Sequence, residues 1–77
     1  MFFEVHERVG GAAPVPKWRI VLLVQQRIAA LACFEVQARR VVEYGGAVRL
    51  LMQEEAGSAL VEVAECVGVG VEKAFGT

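Results

Sequence analysis

The side chains that could do chemistry are few. His6 is the single histidine, Cys33 and Cys66 are the two thiols, and every carboxylate side chain is a glutamate. Imidazole is the commonest general base at neutral pH and a frequent zinc ligand. Here it stands between Glu4 and Glu7 in FFEVHERV, residues 2–9. Alternation in that stretch puts His6 on the polar side of an edge strand, as a solvated surface residue. The two cysteines lack C-x-x-C spacing, and one His with two Cys falls short of a four-ligand zinc set. The expectation is no metal and no cofactor. Cys33 has neither a basic neighbour nor a helix N-terminus to activate it, so it reads as a small packing residue. Two buried thiols in a reducing, cytoplasmic compartment are a simpler reading than a disulfide.

Three other groups invite a chemical reading. Glu54, Glu55, Glu62 and Glu65 form an acidic cluster, but acid–base work needs one carboxyl desolvated, and here the pattern reads as a solvated charged face. GVGVEKAFG, residues 68–76, lacks the glycine spacing and the Lys-Ser/Thr pair of a phosphate-binding loop. Lys17-Trp18-Arg19 and Arg39-Arg40 are the basic pairs. A basic–aromatic cluster can hold single-stranded nucleic acid. These arginines, however, point in different directions around one helix, and the net charge is −1. No nucleic-acid partner and no catalytic residue are expected, and the reading leans away from an enzyme.

Composition carries more. The chain has 77 residues, 56% of them hydrophobic and 22% charged. A small domain has proportionally more surface to cover with polar groups, so this surplus implies exposed apolar patches or a partner that covers them. A transmembrane helix needs about 20 apolar residues. The apolar run Ile20–Val24 is far shorter and meets Gln25, Gln26 and Arg27. The opening MFFEVHER carries two glutamates and no basic lead, unlike a secretory signal. Asp and Asn are absent, so the usual helix caps and turn formers are scarce and glycine must do most of the turning.

These residues must be positioned by a single domain, 1–77. Residues 1–16 read as a short strand followed by a Gly/Pro loop. Residues 17–44 read as one long amphipathic helix: Ile20, Leu23, Val24, Ile28, Leu31, Phe34, Ala38, Val41 and Val42 fall on one stripe at 100° per residue, and Gly45-Gly46 stops it. Residues 47–76 read as a helical hairpin partner broken at Gly57. A second line, Leu22, Ala29 and Val36, recurs every seven residues with Cys33 nearby. With Trp18 at the helix start, these form the candidate interface.

The fold expected is therefore mainly α, and the function a non-enzymatic helical interaction module. It would bury helix faces against another copy, as a dimer, or within a larger protein complex. The alternative is an α+β chain ordered β-β-α-β-β. In it, WRIVLLV is a second strand, and AVRLLMQEE and ALVEVAECVGVGV pair through a Glu-Ala-Gly-Ser turn. Fourteen valines favour it. Such a chain would bind a small ligand, or act as an enzyme, with a pocket at a dimer interface, or serve as a subunit of a complex.

Overall fold

The computed structural model describes residues 1–9 and 15–68 and gives the α+β order. Four eight-residue strands, β1 (Phe2–Val9), β2 (Lys17–Val24), β3 (Gly46–Gln53) and β4 (Val61–Gly68), flank one helix, α1 (Arg27–Tyr44). They form one antiparallel sheet in the order β2-β1-β3-β4. The mainly α fold is thus corrected to a sheet-dominated α+β fold, and the helical character expected of the module is corrected with it.

The helix expected over 17–44 loses its first third to β2. A continuous apolar run such as IVLLV satisfies the periods of both helix and strand, so spacing alone does not decide. Its β-branched residues and the unsatisfied edge of β1 decide for a strand. Arg27, which would interrupt a helical stripe, instead begins the helix, and Gln25-Gln26 form the bend before it. The C-terminal stop holds: Gly45 adopts φ 88°, and its N–H donates to the Val41 carbonyl at 2.8 Å. The helical hairpin expected over 47–76 is instead the β3–β4 hairpin. Its last part, 69–76, lies outside the described residues. The hairpin turn is held by Ser58, whose Oγ donates to the Glu55 carbonyl at 2.7 Å, and by Gly57 at φ 89°.

Register assigns each residue to a face, because directly opposed residues share one. Phe3, Val5, Val48 and Leu50 of the two central strands meet Ala30 and Val41 of α1 in the core. Cys33, Phe34 and Ala38 of the helix and Val21, Leu22, Val24, Met52, Ala64 and Cys66 of the strands pack around it. The inward helix positions 30, 33, 34, 37, 38 and 41 follow helical spacing. Fully burying one such aliphatic side chain stabilises by about 1.5–3 kcal/mol. Both edge strands carry a β-bulge, at Val21 in β2 and at Val63 in β4, where the register skips one residue. Gly68 lets the helix come down on β4: an added Cβ would lie 1.9 Å from the Val41 carbonyl oxygen.

Candidate interaction site on the open face of the sheet

Among the described residues, one face of the sheet is covered, by the helix, and the other is open. On the other, register lines residues up in rows across the strands: Leu23–Glu4–Leu51–Glu62, then Ile20–His6–Arg49–Glu65. Beyond them stand the pairs Trp18–Arg8 and Ala47–Val67.

The middle row builds a polar network. His6 Nε2 is 2.9 Å from a Glu4 carboxylate oxygen, and His6 Nδ1 lies 3.2 Å from Nε and 3.1 Å from Nη2 of Arg49. An arginine only donates, so Nδ1 accepts and Nε2–H donates to Glu4. Both ring nitrogens are therefore spoken for. Arg49 reaches from β3 across β1, with its guanidinium carbon 4.1 Å from the centre of the Trp18 ring on β2, a cation–π arrangement. That arm roofs the imidazole and leaves His6 only 7% exposed. The expectation of a solvated histidine on an edge strand is corrected: β1 is a central strand, and a charged side chain lies over the ring. Among the described residues no buried side-chain nitrogen or oxygen lacks a partner.

Next to this network, Glu62 and Glu65 stand on the edge strand. The Glu62 carboxyl is pushed above its ordinary value, chiefly by the hydrogen bond its proton donates to Glu65, then by desolvation and the Glu65 charge, while Arg49 pulls the other way. Both glutamates are exposed. On the β2 side, Ile20 and Leu23 form an exposed apolar border.

The other residues singled out from sequence scatter. Trp18 belongs to this face. Leu22 packs on the core under the helix, Ala29 is half-buried, and Val36 is exposed on the helix surface. The seven-residue line breaks at Leu22, which is in a strand; Ala29, Cys33 and Val36 keep their i, i+4, i+7 spacing on α1, while Trp18 stands on the open face of the sheet. Cys33 and Cys66 are both free and half-buried. Burial pushes the Cys33 thiol up, which keeps it protonated and inert. Arg49 carries the site and had no role in the sequence reading. The pairing of β1 with β3 and of β3 with β4 sets Arg49 opposite His6 on one side and Glu65 on the other, which the β-β-α-β-β order alone does not give.

Both imidazole nitrogens are engaged within the network, and among the described residues no activated nucleophile lies near it and no group of three His, Cys, Asp or Glu side chains could hold a metal ion. A cleft at the far end of the sheet, lined by Glu7, Arg8, Gln37, Arg40 and Tyr44 among others, is open to solvent, and its one carboxylate is taken up by Arg19. Among the described residues no helix is long and apolar enough to cross a membrane. Compared with protein-family models, curated proteins and solved structures, the chain matches none.

Proposed function

We propose that this chain is a non-catalytic recognition subunit of the reducing cytoplasm that works as a homodimer and presents the open face of its sheet to a protein partner. The observation that carries this reading is the preformed Glu4–His6–Arg49–Trp18 network at the centre of an uncovered face, beside exposed Ile20 and Leu23. Trp and Arg are the residues that most often anchor protein interfaces, and anchors sit near the middle of the patch. A network already ordered loses little further freedom on binding. The partner this chemistry fits is a protein surface with an apolar strip and a carboxylate within reach of Arg8 and Arg49. Nucleic acid fits poorly, because Glu4, Glu62 and Glu65 stand on the same face and repel phosphate.

A second copy accounts for the remaining apolar surface, since Ile28, Leu31 and Val42 on the helix and Leu60 and Val61 near β4 are exposed away from this face. Site-specific photo-crosslinking in the native cells tests the recognition reading. A photoreactive residue at Ile20 is expected to give one discrete protein adduct that Arg49→Glu abolishes, and the same residue at Val36 is expected to give none. Equal adducts from both positions, or none from Ile20, would refute it.

A further inference from the structure

The two edges of the sheet are guarded differently. On the helix side of β2, Arg19 pairs with Glu7 on neighbouring β1 and Lys17 follows at the strand's start. Charges on an edge discourage a second sheet from adding to it. On the helix side of β4 stand Val61, Ala64, Cys66 and Gly68, the partners of Met52, Leu50, Val48 and Gly46. None carries a charge; Glu62 and Glu65 point to the open face.

The helix also covers β4 unevenly. It starts two residues after β2 and ends one residue before β3. Its second half reaches the far edge, where Ala38 and Val41 lie against Cys66 and Gly68. Among the described residues the Gly68 end of β4 is therefore roofed and the Val61 end is bare: Leu60 is 42% and Val61 55% exposed. Ala38 faces β4, and Val42, four residues on, shares its flank. Val42 is 62% exposed and borders, with Glu35, Ala38 and Arg39, a shallow groove on the helix. One end of this edge thus carries an apolar overhang, and the other an apolar corner with no roof.

We propose that a second copy of the chain pairs antiparallel along β4, about a two-fold axis near Ala64, so that the Val42 flank of each copy roofs the Leu60–Val61 corner of the other. This rests on the homodimer reading above and gives it a geometry. A two-fold axis normal to the sheet makes the paired strands antiparallel, which brings the Gly68 end of one β4 beside the Val61 end of the other. The overhang and the corner then meet twice, as a self-complementary interface requires. An eight-residue strand is roughly 26 Å long. Strand plus helix is roughly 20 Å deep. The contact is then about 500 Å² per copy and about 1,000 Å² in all, the lower limit for a specific interface. The bulge at Val63 shortens the regular ladder. Both facts point to a dimer of micromolar strength.

Sedimentation velocity of the full chain across about 1–100 µM tests this, a range set by the small interface. Wild type is expected to pass from monomer to dimer. Val42→Glu and Val61→Lys each bury an unpaired charge at the seam and are expected to weaken the dimer at least about tenfold. Both positions are exposed in the single chain, and circular dichroism checks that each variant folds. The double variant Val42→Glu/Val61→Lys restores opposite charges across both contacts and is expected to regain much of the loss. Lys17→Glu, on the other edge, is expected to leave the monomer–dimer equilibrium unchanged. A dimer indifferent to the single variants, or single losses that the double variant does not repair, overturns this geometry and leaves the homodimer reading standing. Wild type that stays monomeric at about 100 µM overturns both.

Discussion

The two faces of the sheet are built from the same two central strands and held by different physics. Toward the helix, β1 and β3 offer Phe3, Val5, Val48 and Leu50, all buried. Away from it the same strands offer Glu4, His6, Arg49 and Leu51, of which only His6 and Leu51 are as deeply buried. The helix side gains from apolar area removed from water and from close packing, which depend little on direction. The open side gains from a few oriented hydrogen bonds and one cation–π contact, whose value depends on every member being present. The first face accounts for the fold, and the second is where recognition is proposed.

Leu50→Ala should give the largest effect that separates them. Leu50 is 1% exposed at the centre of the covered face, and truncating such a residue costs about 2–5 kcal/mol. A domain this small has total stability of only about 5 kcal/mol or somewhat more. The variant should lose most of its urea midpoint, or fail to fold at room temperature. A loss below about 1 kcal/mol would mean that the covered face is not the main source of stability.

Arg49→Met comes next. It keeps an apolar stem beside Trp18 but takes both donors from His6 Nδ1, leaving a nearly buried acceptor unpaired. The expected cost is about 1–3 kcal/mol, with a change in the emission of Trp18, the only tryptophan. The test that sharpens the contrast is the triple variant Glu4→Leu/His6→Leu/Arg49→Leu. Removing a whole polar network is cheaper than breaking it, so the triple variant should be at least as stable as Arg49→Met. On the covered face the opposite holds, and each added truncation makes matters worse. If the triple variant is far less stable than the single, the network contributes to folding as the core does, and the distinction between the faces fails.

The same contrast sets what could be read from sequence. The strand at 2–9, the stop at Gly45-Gly46 and part of the helical stripe follow from local pattern: Phe34, Ala38 and Val41 turn inward, whereas Ile28, Leu31 and Val42, read onto the same stripe, are exposed. Residues 17–24 and 47–68 went to the wrong element in the leading reading. Dense apolar residues erase the difference between periods of 2 and 3.6, and the deciding term, pairing with a distant strand, is not local. The site was harder still. Glu4 and His6 are two residues apart, but Arg49 lies 43 positions further on and meets His6 only through the β1–β3 register. His6 looked solvated because nothing near it in sequence covers it. Trp18 was singled out for its type, yet its role on the sheet depends on β2 being a strand.

The smallest effect should come from Glu62→Gln, and it is specific to the open face. In the folded chain the Glu62 carboxyl holds its proton more tightly than at the ordinary value of 4.5, mainly because Glu65 accepts a hydrogen bond from the protonated form. The charged groups that bear on it are Glu65, which raises its pKa, and Arg49, which lowers it. The folded state therefore binds more protons here than the unfolded chain, and linkage makes stability fall as pH rises. The contribution is fully present below the ordinary value of 4.5 and is lost as pH climbs from there through the raised folded value. Glu62 is fully exposed, so solvent screens the effect and the change should be slight. Urea midpoints measured at close pH steps through that window should slope downward in wild type and more gently in Glu62→Gln. Leu50→Ala should shift the whole curve without changing its slope. Parallel curves for wild type and Glu62→Gln would mean that Glu62 and Glu65 do not share a proton, and would remove the one pH-sensitive element assigned to the open face.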